Sequence, residues 1–337
     1  MRLFAALMLT MLLAACAAPV ATTDTAIGEP RLLDDAVVTA DGARLPLRSW
    51  LPDGEPKAVI LYVHGFNDYS NAMARPAPYL TRNGYAIFAY DQRGFGAAPD
   101  RGSWVGQATM TGDLVAAARL VAKRFPDKPF YLLGESMGGA VVMRTLARPD
   151  APKVAGTILL APAVWSRQRM SVVERVGLWI GAHAFPWLPV NGNGLDIWPS
   201  DNIEMLREFS RDPLVIKDTR VGSIEGLVNL MDAAYSGAAS LPGPALYLYG
   251  EHDQIVPAPP TYDVMAGLDG RAGVVRAIYP KAYHMMLRDL DADIVLGDIV
   301  SWLQNHDAPL PSGADRRALE VLAEHRPKPL ASAALTK

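Results

Sequence analysis

Apolar residues arrive along this chain in short runs separated by amphipathic stretches, the rhythm of buried parallel strands alternating with helices. Ala58 to Val63, Tyr85 to Tyr90, Phe130 to Leu133, Val154 to Leu160, Ala245 to Tyr249 and Val274 to Ile278 have strand length and are mostly apolar. Helical spacing lies between them. It is clearest from Thr111 to Phe125, where Leu114, Ala118, Val121 and Phe125 share one face. Two earlier runs, Ala36 to Thr39 and Arg44 to Trp50, bracket Asp41-Gly42 and predict an opening hairpin. Strand-helix alternation of this kind predicts right-handed crossovers and an α/β fold with a mostly parallel sheet covered on both faces.

The rhythm breaks between residues 163 and 237, some 75 residues without a convincing strand but with helix-like spacing at Val172, Val173, Val176, Trp179 and Ile180. This stretch reads as a helical cap inserted over the carboxyl edge of the sheet, where open α/β sheets bind ligands. The core is then expected in two parts, 31–162 and 238–306, followed by a C-terminal extension, 307–337. In that extension Ala314 to His325 could form one amphipathic helix and the last dozen residues read as disordered.

The N-terminus changes the expected setting. Residues 1–15 hold one cation, Arg2, and then an apolar run broken only by Thr10. The run is too short to span a bilayer, which takes about 20 residues, and fits the h-region of a secretory signal. It ends in Leu13-Ala14-Ala15-Cys16, with the single cysteine of the chain. This resembles the lipobox of bacterial lipoproteins, which implies lipidation of Cys16, a flexible tether over 16–30 and a membrane-anchored protein of the bacterial envelope facing the periplasm. An ordinary signal, with Cys16 incidental, is the plainer alternative. With one cysteine no intrachain disulfide forms, so the exported fold rests on its core. A net charge of −3 without a Lys/Arg run argues against nucleic acid, and no His/Cys/Asp cluster has metal-ligand spacing.

The chemistry concentrates at Gly134-Glu135-Ser136-Met137-Gly138, between an apolar run and a helix-like one. By itself G-x-S-x-G arises by chance in roughly one chain in ten of this composition. Its context, strand then helix, is that of a nucleophile elbow, a strained turn presenting a serine hydroxyl above a sheet. A serine needs a base, and the base an orienting acid. Asp253 follows the run Ala245 to Tyr249, and His284 follows the next strand. Both sit where a carboxyl sheet edge would bring them to Ser136, and Ser, acid, His is the chain order of the α/β-hydrolases. Donors for an oxyanion are expected from the backbone N–H of Met137 and of Phe66, the latter in the loop His64-Gly65-Phe66. His64 reads as a structural residue fixing that loop, Asp91 as part of a structural turn, and His252 as facing away.

With these residues in place the chain resembles the monoacylglycerol lipase/lysophospholipase-like branch of the α/β-hydrolases. The likeness runs from about Arg31 to His306 and rests on Val63 to Phe66, Tyr90 to Gly96, Leu133 to Gly139, Asp253 to Val256, and Tyr283-His284. It implies cleavage of carboxylic esters carrying one fatty acyl chain, through an acyl-enzyme and without a cofactor. Two departures bear on substrate: Glu135 stands where many relatives have histidine, and Phe66-Asn67-Asp68-Tyr69-Ser70 lacks a second glycine. Both are expected to line the acyl or leaving-group pocket. In the cap, Trp165, Met170, Phe185, Trp187 and Trp198 offer apolar area for an acyl chain or a lipid surface, or else pack the cap onto the core. Rival expectations are a short-chain carboxylesterase, an aminopeptidase-like hydrolase of the same fold, and a catalytically silent envelope protein that binds a ligand.

Overall fold

The apolar runs assemble into one nine-stranded sheet. In a computed structural model, which describes residues 28–192 and 194–327, the strands are β1 (Arg31–Leu32), β2 (Ala36–Val38), β3 (Arg44–Trp50), β4 (Ala58–Val63), β5 (Tyr85–Tyr90), β6 (Phe130–Glu135), β7 (Gly156–Leu160), β10 (Ala245–Gly250) and β11 (Val274–Tyr279), in the order β1-β2-β3-β5-β4-β6-β7-β10-β11. The first three run antiparallel, as does β3 against β5. From β5 to β11 every pairing is parallel. This is an α/β-hydrolase fold. The segments read as signal peptide (1–15), Cys16 and most of the tether lie outside the described residues, as do 328–337.

Strands β4, β5, β6, β7 and β10 are buried along their whole length. That explains their unbroken apolar character: a strand covered on both faces has no solvent side on which to alternate. Helices α1 (Ala77–Arg82), α2 (Gln107–Arg124), α3 (Met137–Leu146) and α8 (Ala292–Gln304) supply the cover, with α1 touching α8 and α2 touching α3. Two boundaries differ from the apolar pattern for the same reason. Strand β6 continues through Gly134 and Glu135 because its ladder continues, Gly134 opposite Val63 and Glu135 opposite Leu160, whereas β7 begins only at Gly156, where pairing with Tyr131 starts. Hydrogen bonding, not hydrophobicity, sets these ends.

Between β7 and β10 lie α4 (Val172–Ala184), β8 (Pro189–Val190), α5 (Ile203–Arg211), β9 (Thr219–Arg220) and α6 (Val221–Gly237). Helix α4 starts at a capping box in which Ser171 accepts from Glu174 N–H and the Glu174 carboxylate accepts from Ser171 N–H. Helix α6 packs on both α3 and α4, rooting this segment on the core. The two-residue strands β8 and β9 pair antiparallel, too short a ladder to leave a periodic trace in sequence. After α8, helix α9 (Ala314–Glu324) packs along β11 with Ala314 and Ala318 buried, covering the edge strand. Helix α7 (Ala258–Gly267) follows β10.

Candidate active site

The sheet's parallel registers carry the ends of β4, β6, β10 and β11 to one edge, and the loops leaving them hold the candidate chemistry. Ser136 follows β6 with φ 54° and ψ −119°, a conformation that L residues avoid. Its backbone is clamped: the N–H donates to Leu160 O at 2.9 Å, and its C=O accepts from Ala163 N–H at 2.9 Å and Ala140 N–H at 3.2 Å. Over-determination of this kind holds a strained residue in place. The glycine two residues on is dictated by crowding, since a Cβ at Gly138 would lie 2.0 Å from Val63 O. Gly65 on the facing loop is constrained less severely, since a Cβ there would lie 3.3 Å from Ser136 Cβ.

The loops after β10 and β11 bring Asp253 and His284 together. His284 Nδ1 lies 2.7 Å from Asp253 Oδ2, with both side chains out of water. The other carboxylate oxygen accepts from Ile255 N–H at 2.7 Å and Val256 N–H at 2.9 Å, so the turn Asp253 to Val256 aims the acid. Burial pushes the imidazole toward its neutral form. The Asp253 charge and hydrogen bond, with the Glu135 carboxylate behind them, outweigh burial and hold the His284 pKa above its ordinary value despite the opposing Arg288 charge. Ser136 and His284 line the same cavity of about 690 Å³.

Of the two expected oxyanion donors, Met137 follows Ser136 in the chain and Phe66 lines the same cavity. Met137 opens α3, so its N–H is one of the unpaired donors of a helix start. Among the described residues no hydrogen bond uses the N–H of Phe66 or of Met137. His64 is fully buried: its Nε2 accepts from Gln92 N–H at 2.9 Å, which assigns Nδ1–H as donor to Gly65 O at 2.8 Å, and burial lowers its pKa. It therefore fastens the Gly65-Phe66 loop to the turn after β5. In that turn Asp91 accepts from Ser70 N–H and Ala97 N–H. His252 is exposed, edge-on to Tyr283.

The cavity around the serine is mostly apolar, with Trp165, Met170, Leu178, Leu227, Val228 and Met231, and its polar lining is Asn67, Asp68, Glu135 and Arg288 together with Glu174 of α4. Of the five cap residues singled out above, Trp165 and Met170 face this cavity, whereas Phe185, Trp187 and Trp198 are 51%, 67% and 45% exposed and so do not pack the cap onto the core. Val173 and Trp179 of α4 are exposed as well. The segment between β7 and β10 is tied to the loops after β4, β10 and β11 by two backbone hydrogen bonds, Ile216 N–H to Asn67 O and Met285 N–H to Pro199 O, and by one from backbone to side chain, Trp198 N–H to Gln254 Oε1.

Sequence reasoning missed Arg288. It is 6% exposed, with Nη1 2.8 Å from Asp68 Oδ2 and Nη2 3.1 Å from Glu135 Oε1. Glu135 also accepts from the Tyr62 hydroxyl. The signal was a carboxylate closing an otherwise apolar strand: a buried acid requires a partner, but nothing in sequence says which arginine supplies it. Among the described residues no group of three or more His, Cys, Asp or Glu side chains could hold a metal ion, and no helix is long and apolar enough to cross a membrane.

Residues 54–291 match the family model described as serine aminopeptidase, S33. A monoacylglycerol lipase of Mycolicibacterium smegmatis is 27% identical over 271 residues, covering 79% of this chain and 94% of that protein. Human monoglyceride lipase is 27% identical over 283 residues, covering 81% and 90%. A crystal structure of a soluble variant of Saccharomyces cerevisiae monoglyceride lipase, in complex with a substrate analog, superposes with a TM-score of 0.68 at 20% identity, covering 86% of this chain and all of that one, a likeness of fold.

Proposed function

The chain belongs to the serine aminopeptidase, S33, family of α/β-hydrolases and is a serine hydrolase of that fold; from that premise we propose that it cleaves carboxylic esters of single-acyl lipids, monoacylglycerols or lysophospholipids, on a triad of Ser136, His284 and Asp253. The observation that carries this reading is the cavity. It is lined by a serine and an imidazole, by a mostly apolar set of side chains and by the buried Asp68-Arg288-Glu135 cluster, the combination that an ester between one acyl chain and a hydrophilic alcohol requires. The monoacylglycerol and monoglyceride lipases that the chain resembles support the same substrate class.

In the proposed cycle His284 takes the Ser136 proton as Oγ attacks the carbonyl carbon, while Asp253 holds the imidazole in the right tautomer and stabilises its cation. The N–H groups of Phe66 and Met137 bind the oxyanion. His284 then returns the proton to the alkoxide, which leaves as the alcohol. A water deprotonated by His284 attacks the acyl-enzyme, and the fatty acid departs with Ser136 restored.

The reading extends to location. Lipidation of Cys16 tethers the enzyme to a bacterial envelope membrane on its periplasmic side, and Val173, Trp179, Phe185 and Trp187, exposed on the cap, rest their apolar area in the same lipid surface. Anchoring raises the local concentration of lipid esters.

An aminopeptidase reading takes support from the family's description, and Glu135 and Asp68 could pair with a substrate ammonium. Both are already engaged by Arg288, which favours the ester. The deciding experiment is a panel of monoacylglycerol, lysophospholipid, short-chain ester and amino-acid amide with purified protein. Highest kcat/KM on a single-acyl lipid is expected, and a preference for the amide would overturn the reading.

A further inference from the structure

Glu135 has no part in the cycle above, yet it adjoins the nucleophile in sequence and shares its cavity. The side chain is 4% exposed, in a region that excludes water from both catalytic partners. Its charge is secured from two sides. The Tyr62 hydroxyl on β4 donates to one oxygen and Arg288 Nη2 to the other. Burial alone would raise its pKa, but the Arg288 charge and the Tyr62 hydrogen bond outweigh that and keep the carboxyl below the ordinary glutamate range. Arg288 and Tyr62 therefore favour the anionic form of Glu135.

The charges facing His284 come from three directions. Asp253 pairs with it from the loop after β10, while Glu135, at the end of β6, and Arg288, four residues further along its own loop, line the same cavity and act on it through their charges. Arg288 is shared with Asp68 from the loop after β4. One guanidinium thus stands against two carboxylates, leaving the cluster one negative charge in excess. The remaining neighbours whose titration senses Glu135, His64 and Asp289, are a neutral imidazole and a further carboxyl, and neither offsets that excess. When Ser136 loses its proton the positive charge appears on His284, and in a dry site a nearby fixed anion acts on it with little screening.

We propose that Glu135 is a positioning residue acting through His284: a fixed, buried anion held by Arg288 and Tyr62 that stabilises the imidazolium formed as Ser136 attacks, in addition to Asp253. The proposal rests on the reading of Ser136, His284 and Asp253 as the triad. Arg288 then has two roles of opposite sign. It keeps Glu135 charged, and it limits how far the cluster raises the basicity of His284.

The test is the pH dependence of kcat/KM on a neutral ester for Glu135→Gln, an isosteric change whose single carbonyl oxygen accepts from Arg288 while its amide N–H donates to the Tyr62 hydroxyl oxygen. Removing the anion lowers the basicity of His284, so the acid limb is expected to move down by about one pH unit, with kcat on the plateau falling roughly tenfold and KM little changed. Glu135→Asp, which keeps the charge, should return the limb toward wild type. Should Glu135→Gln fail to fold, Glu135→Met provides a neutral side chain of similar length, and the same downward displacement is expected. A merely structural role would lower the thermal midpoint and activity while leaving the limb in place, and that result overturns the proposal. Ser136→Ala separates the two levels. Full activity in that variant overturns the triad itself, whereas an inactive Ser136→Ala beside an unmoved Glu135→Gln limb overturns only the role of Glu135.

Discussion

His284 Nδ1 sits 2.7 Å from Asp253 Oδ2, on a carboxylate whose other oxygen is held by two backbone N–H groups of its own turn. This pair fixes which imidazole nitrogen faces the cavity and how basic it is. The acid is pre-aimed by its turn before the histidine meets it, so the geometry does not depend on substrate.

The pH profile follows from that pair. As the proposed base His284 would act only when neutral, and its pKa is held above the ordinary 6.5 because the Asp253 and Glu135 charges outweigh the cost of burial. Activity should therefore rise with pH with its midpoint above 6.5. Asp253→Asn should both lower that midpoint and cut kcat by about 10³–10⁴-fold by releasing the tautomer. The same raised pKa makes the His284 contribution to stability fullest below its unfolded value, falling away as pH rises through the folded one. A kcat/KM profile from pH 5 to 9 on a neutral ester checks the catalytic part.

Gly138→Ala should be damaging in spite of its size. The added methyl would lie 2.0 Å from Val63 O, and backbone on both sides leaves nothing soft to move. A loss of about 1–3 kcal/mol or more is expected, with the elbow displaced and activity lost together. Urea unfolding alongside an ester assay reads both. A fully active, equally stable variant would show that the elbow is looser than its contacts imply.

Arg93 tests the frame beneath the site. It is 4% exposed and pairs with both Asp113 and Asp41, binding the turn after β5 to α2 and to the β2–β3 hairpin. Arg93→Met leaves two carboxylates without their cation and should cost about 3–5 kcal/mol, while catalysis per folded molecule survives. Asp113 is pushed up to about 6 by burial, against the pull of Arg93. Its contribution to stability is thus present below about 4 and declines as pH rises through about 6. The pH dependence of the urea midpoint between those values should be shallower in Asp113→Asn.

Leu178 tests the acyl assignment. It lines the apolar wall from helix α4 of the cap, and Leu178→Trp shortens the space beyond Ser136. Loss of at least tenfold in kcat/KM for long-chain monoacylglycerol, with a short-chain ester spared, is expected. Equal losses on both would place the acyl chain elsewhere.

The sequence disclosed the sheet because its strands are buried on both faces. Tyr85 to Tyr90 and Ala58 to Val63 were legible to the residue. It also placed Ser136, Asp253 and His284 beyond strand ends, where the structure pairs Asp253 with His284 and sets Ser136 and His284 in one cavity. Arg288 was not legible. Its pairing with Glu135 spans 153 residues and leaves no local trace, and a buried arginine reads like any surface one. The cap was legible only as an interruption, because Phe185 and Trp187 look the same in sequence whether they face a core or, as here, solvent.

The most direct measurement is intact-protein mass spectrometry of the purified enzyme after a fluorophosphonate probe, paired with hydrolysis of a monoacylglycerol, for wild type and Ser136→Ala. The account predicts one probe adduct, mapped to Ser136, that abolishes hydrolysis in the wild type, and a variant that neither labels nor hydrolyses. A Ser136→Ala protein that still took up the probe at one site and cleaved the lipid at the wild-type rate would contradict it.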